Sequence, residues 1–484
     1  MSPNSTPVTE KAPVLETNSV NFVPHSERYG HPRSLFTLWF GANAMGVTIL
    51  TGSLAAFTDL SLFWSAIAII LGTLIGTIFV AYHSAQGPAL GLPQMIQSRA
   101  QFGFFGGGAV LAGDAMANLT GISQQLGILI ISVLSLILVV FGYKVLHIVA
   151  KIITPIFIVV FALVTIFLII RWPGEAHHAT APGGFSTVGF FLILGIVAAY
   201  FITYGPYVAD YSRYLPAKTS VASTFWYTYA GMGISGIWLL ILGAAVQIGW
   251  SKLDIVGALG AAGGLGGEWL RILALLVLLI GLVNIGALNI YGAAMSALTI
   301  ATSFMKSWKP GRGLRLAFMI PVAVIATAGA VLVSGNLINA YENFIFFLIA
   351  FLIPWSAVNL VDFYFVRKGR YHVGDLFTPK GRYRSVSWAG LGAYLVGCAT
   401  MIPFISTTFY TGALAAALGF DISWVIGLVV SGAVYALFAR LAHVRESDAS
   451  AEILDLSEAA DAAAALAAAE TLGENEPFTA TKGF

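Results

Sequence analysis

Charge is what this chain has least of. Lysine, arginine, aspartate and glutamate make up 10% of its 484 residues, whereas a soluble domain carries about a quarter. Too few ionised side chains exist to clothe a water-facing surface of this size. Cysteine is almost absent: Cys398 stands alone in an apolar run, which excludes a disulfide framework and a cysteine-ligated metal. The N-terminal residues have no apolar core followed by a small-residue cleavage site. Residues 1–27, rich in Ser, Pro, Thr and Asn, therefore read as a disordered tail rather than a signal peptide. No HExxH spacing or clustered nucleophile marks a membrane enzyme, and no repeated filter motif marks a channel. Neither a metal nor a cofactor is implied, and a net charge of +2 gives no nucleic-acid signal.

In place of charge the chain has 58% hydrophobic residues and a mean hydropathy of +0.85, the composition of an all-α polytopic protein living in a lipid bilayer. Runs of about 20 apolar residues predict spans at 35–57, 62–83, 151–170, 188–207, 223–248, 269–299, 314–333, 344–366, 388–410 and 422–438. Residues 104–141 contain Asp114, Asn118, Gln124 and Gln125; the stretch is too long for one span and barely long enough for two. Positive charge decides between them. With the N-terminus cytoplasmic and two spans in 104–141, only Arg171, Lys252 and Arg271 of the 24 lysines and arginines fall outside. Because cytoplasmic loops carry the positive excess, twelve spans with both termini inside a plasma or inner membrane are predicted. The transporter domain then covers 28–441, and 442–484 is an acidic, Ala-rich cytoplasmic tail.

Two spans lose helical geometry partway. Ala42-Asn43-Ala44-Met45-Gly46 interrupts the first, and Tyr204-Gly205-Pro206 interrupts the sixth. Irregular backbone at membrane depth survives where it is buried in protein or lines a cavity. Five spans separate one break from the next, as a five-plus-five inverted repeat with a midplane site predicts.

The runs SERYGHPRSLFTLWFGAN (26–43), SRAQFG (98–103), ADYSRYLP (209–216) and PWSAVNLVDFYFVRKGRYHVGDLF (354–377) resemble the nucleobase:cation symporter-1 family, in its purine-cytosine permease branch. The resemblance extends over nearly all of 23–440. It implies the five-plus-five inverted-repeat transporter fold with two extra C-terminal helices, alternating access, and a planar nucleobase-like substrate moved together with a cation. The alternatives are a sodium-coupled carrier of a related heterocycle such as allantoin, hydantoin, uracil or a vitamin, or a non-transporting sensor on the same fold.

A planar heterocycle needs a stacking face and amides that read its edge. The eighth span carries Asn284 and Asn289. Five residues apart, they differ by roughly 140° around a helix axis, so one reads the base while the other ties helices together. The family's base-reading asparagine falls in this span and matches either position. Its stacking aromatic matches Phe201, with Tyr204 three residues on and sharing its face. Asn43 is the third wall. The third span departs from the family by lacking its sandwiching Trp and offers Asp114 with Asn118 one turn on. Asp114 is the one acid deep within a predicted span, where an unpaired carboxyl is costly, and this makes it the candidate proton carrier. Sodium-driven relatives place two hydroxyls three and four residues after the position of Asn284. Here Ala287 and Leu288 stand there, favouring a proton over sodium as the coupling cation. The eight histidines, His83 among them, read as lying in loops or at span boundaries.

Overall fold

The computed structural model describes residues 22–102, 132–138, 143–174, 184–304, 312–333, 337–377, 381–407, 409–442 and 444. Asp114 and Asn118 lie outside these, as does most of 104–141, so the division of that stretch into spans does too. The described helices are α1 Arg33–Asn43, α2 Gly46–Ser53, α3 Leu62–Leu90, α4 Gln94–Gln97, α5 Arg99–Phe102, α6 Tyr143–Ile170, α7 Thr187–Ile202, α8 Gly205–Ser212, α9 Val221–Gly249, α10 Ile255–Gly264, α11 Glu268–Phe304, α12 Arg312–Val333, α13 Leu337–Val361, α14 Trp388–Met401, α15 Ala413–Leu418 and α16 Ser423–Leu441. Among the described residues, six helices are long and apolar enough to cross a bilayer, and a bent pair makes a seventh candidate.

That bent pair is the first predicted break. α1 and the helix running from Gly46 to Phe57 meet at 61°. The bend is built by Ala44 (φ −73°, ψ 70°) and Met45 (φ −148°, ψ 160°), which leave the helical region altogether. The second break is milder than the sequence predicts. Thr203 and Tyr204 keep right-handed backbone angles, and 187–212 runs as one span without a sharp bend. The reason is the position of Pro206 in the first turn of α8, where a backbone N–H has no intrahelical partner to lose.

With no hydrophobic force between helices in lipid, close approach depends on small residues. Gly52 of α2 lies against the Leu240 carbonyl of α9, and Gly243 of α9 against the Ile49 carbonyl of α2, each too near to admit a Cβ. These two contacts clamp the bent first span onto α9.

α3 runs two turns beyond the predicted end of its span. Ala-Gln-Gly-Pro reads as a loop, yet Pro88 sits in the last turn of the helix. The amide that Pro88 lacks would have bonded the Ser84 carbonyl. Ser212 Oγ donates to that carbonyl instead, at 2.6 Å, joining α8 to α3. The helix stops at Gly91, whose φ of +62° suits glycine and whose N–H closes on Gly87 O. His83 is therefore buried within a helix, with 0% exposure, and not at a boundary. Phe22 to Glu27, read above as the end of a tail, lies along this terminus: Val23 N–H donates to Gly91 O at 2.9 Å, and Arg28 donates to Val23 O and Pro88 O.

Candidate functional site

The two interruptions meet through side chains. Thr48, in the first turn of α2, hydrogen-bonds the Asn43 carbonyl across the break at 2.7 Å and shares a 2.8 Å bond with the Tyr200 hydroxyl of α7. Tyr200 in turn lies 3.0 Å from the Tyr204 hydroxyl at the second interruption. Trp39, one turn before Asn43 and on the same face of α1, meets Tyr204 edge-on with ring centroids 6.2 Å apart, and Tyr211 at 5.4 Å.

Polar atoms here are left over. Asn43 is fully buried; its amide nitrogen donates to Met232 O at 3.1 Å, but its Oδ1 has no partner. Trp39 is 2% exposed and its Nε1 also has none. An unmade buried hydrogen bond costs about 1–3 kcal/mol, so a donor and an acceptor left orphaned one turn apart form an edge waiting for a complement. Trp39 was not singled out above, because a tryptophan in an apolar run reads as packing. The signal available was its spacing of four from Asn43.

The other predicted residues divide. Tyr204 stands at the second interruption and is 7% exposed. Phe201 is fully buried with its ring against Gly236 of α9 and its Cβ near Gly76 of α3, a packing role in this conformation. Asn284 lies on α11, which reaches the first break where Leu278 and Leu282 touch Gly46. Its Oδ1 is buried without a partner. The side chain of Asn289 lies outside the described residues, as do Asp114 and Asn118. Ala287 is buried among α11 and α12 residues. Among the described residues, no group of three or more His, Cys, Asp or Glu could hold a metal.

A second polar cluster was not anticipated at all. Asp362 opens a π-turn, Asp362–Val366, at the end of α13. Its carboxyl pairs with Arg367 and accepts from Tyr371 at 2.6 Å, Tyr435 at 2.5 Å and Gln101 at 2.8 Å. Burial opposes the Arg367 charge, but Asp362 more than offsets it and holds the guanidinium well above its ordinary value. Burial, reinforced by the Asp362 charge, likewise raises the Tyr371 phenol.

A family model for permeases of cytosine/purines, uracil, thiamine and allantoin matches residues 22–111 and 104–427. The chain belongs to this family, within the nucleobase:cation symporter-1 purine-cytosine permeases. YxlA of Bacillus subtilis (strain 168), named as a purine-cytosine permease, is 40% identical to it over 439 residues, covering 87% of this chain and 95% of its own. The purine-cytosine permease fcyB of Emericella nidulans is 27% identical over 462 residues, 87% of each chain. Among solved structures, the nucleobase-cation-symport-1 transporter Mhp1, closed with bromovinylhydantoin bound, superposes with a TM-score of 0.69 at 18% identity, covering 92% of this chain and 100% of that one. This permease is thus an integral, multi-pass membrane protein with the Mhp1 transporter fold.

Proposed function

We propose that this permease imports a nucleobase or related planar heterocycle, cytosine or a purine before others, by cation symport with alternating access. Twelve spans cross the plasma or inner membrane, with both termini cytoplasmic. The substrate lies between the two interruptions, its edge read by Trp39 Nε1 and Asn43 Oδ1, with Asn284 or Asn289 contributing from α11, and Tyr204 and Phe201 supplying aromatic surface. Asp114 carries the coupling proton and, with Asn118, faces the substrate from the third span.

The observation that carries this reading is the orphaned donor and acceptor on one face of α1, beside Tyr204. Cytosine and purines present adjacent donors and acceptors along one edge, the complement such a pair needs. The names of the relatives support the same substrate class. Ala287 and Leu288, where the resemblance places sodium-ligating hydroxyls, support the proton.

The test is uptake into proteoliposomes, with cytosine, adenine, hypoxanthine, uracil, allantoin and pyridoxine as competitors, each with and without sodium. Cytosine or a purine should compete best, and sodium should make no difference. Sodium-stimulated uptake, or selective competition by allantoin or pyridoxine, would replace this reading with a sodium-coupled carrier of another heterocycle. Saturable binding without counterflow would make the chain a sensor.

A further inference from the structure

Three elements bring a cluster of rings to one edge of the molecule. Tyr82 of α3 lies 4.7 Å from Phe225 of α9 and 5.2 Å from Tyr364 of the π-turn that ends α13, centroid to centroid. Phe225 stacks on Tyr229 at 5.6 Å with planes 11° from parallel, and Trp226 stands edge-on to Phe225 at 5.1 Å. The π-turn adds Phe365. Its wide closure, Arg367 N–H to Asp362 O at 2.8 Å, accompanies a buried Asp362 and leaves Phe365 75% exposed. Trp226 is 61% exposed and Tyr82 40%.

In a bilayer, tyrosines at the water boundary keep the ring in the apolar layer and direct the hydroxyl toward the headgroups. Two tyrosines of this cluster do otherwise. Tyr364 Oη donates to Tyr82 O at 2.7 Å and Tyr229 Oη to Leu74 O at 3.3 Å, so both polar tips are turned onto α3. What faces outward is apolar ring surface, a wall for hydrocarbon.

The rim of this wall is positive. Lys218 stands two residues before Ser220, the N-cap of α9, and Phe225 follows that cap by about 8 Å along the axis. Lys368 follows the π-turn, and the N–H of its neighbour Gly369 donates to Phe363 O at 2.7 Å, which folds this turn back against the Phe363 ring. Both lysines are exposed. Asp362 and Asp375 are already opposed by Arg367 and Arg382. Lys368 also has a φ of +49°, where glycine sits at no steric cost and a side chain is strained. Strain of this kind clusters at ligand clamps, and here it points to a use for the ammonium group.

We propose that the edge between α3, α9 and the π-turn seats an anionic phospholipid, with an acyl chain along Tyr82, Phe225, Trp226 and Phe365 and the phosphate at Lys218 and Lys368. Charge and surroundings select this occupant. The rings face hydrocarbon, which a phospholipid supplies, and two ammonium groups favour a headgroup of net negative charge over a zwitterionic one. Because Tyr364 bonds the π-turn to α3, such a lipid braces three helix ends at once. Neither the transported substrate nor the coupling ion enters this inference.

The test uses the full-length protein in mixed micelles. Phosphatidylglycerol should raise the unfolding temperature above that in phosphatidylcholine of the same chains. Phosphatidylglycerol brominated in its acyl chains should quench tryptophan emission, and the quench should shrink in Trp226→Phe. Apparent affinity for phosphatidylglycerol should fall about fivefold in Lys218→Gln. Lys368→Gly separates binding from structure: it should weaken affinity to the same degree while leaving the lipid-free protein no less stable, because glycine relaxes the left-handed backbone. Inorganic phosphate and glycerol 3-phosphate, which carry the anion without the chains, should give neither effect. Equal stabilisation by phosphatidylcholine or by either free phosphate, a quench unchanged in Trp226→Phe, or wild-type affinity in both lysine variants would overturn the site.

Discussion

Thr48 and Tyr200, 152 residues apart in sequence, share a buried hydrogen bond of 2.8 Å that fastens the broken first span to the helix carrying the second interruption. Because Thr48 also reaches back to the Asn43 carbonyl, a single hydroxyl both bridges the break and ties it to its counterpart. Tyr200→Phe should cost about 1 kcal/mol of stability and, if the substrate lies where we propose, slow transport more than it weakens binding, because the tie is then beside the substrate rather than on it. Thermal unfolding with equilibrium binding checks this; a purely affinity-linked loss would place Tyr200 on the substrate.

Trp39→Phe keeps the ring against Tyr204 and Tyr211 but removes the orphaned N–H. Affinity for bases that offer an acceptor at that edge should fall about two- to tenfold, with protein yield unchanged. Asn43→Ala should do the same for bases that offer a donor, and should also lose its tie to Met232 O. Equal losses across a panel of bases in both variants would make the pair a packing feature.

Phe201→Ala removes a fully buried ring from the α3, α7 and α9 contact and should destabilise by about 3 kcal/mol or more. Gly236→Ala, which pushes a methyl group onto the same ring, should also destabilise. If Phe201→Ala instead unfolds like the wild type but binds cytosine weakly, the ring swings onto the substrate in another state, as its match to the family's stacking aromatic implies.

Uptake should rise as external pH falls, collapse with a protonophore and ignore sodium. In Asp114→Asn it should lose its pH dependence while counterflow exchange persists, because an amide imitates the protonated carboxyl. An Asp114→Asn protein that still concentrates cytosine with the original pH profile would assign the coupling proton elsewhere.

The apolar spans were legible because the bilayer demands long runs whatever their partners. The break at Ala44–Met45 was legible too, since Asn43 and Gly46 stand midway through an otherwise apolar run. The milder second break was overestimated: Gly-Pro looks disruptive in sequence, but its effect depends on which turn of a helix the proline enters. The extension of α3 was hidden for the complementary reason, that Pro88 is tolerated only because Ser212, 124 positions on, supplies the missing bond. Gln86, Gln94, Gln101 and Asn359 could not be grouped from the sequence. They stand on four different helices, α3, α4, α5 and α13, and only tertiary packing strings them between His83 and Asp362.

The N-terminal segment has a mechanical consequence. Val23 N–H is bonded to Gly91 at the end of α3, and Tyr29 N–H to Tyr214 just past the end of α8. Together with the bond from Ser212 to Ser84, these cross-brace the two helix ends, so that α3 and α8 turn as one lever. A displacement of either helix end is therefore shared by the other and by the segment from Val23 to Tyr29 that links them.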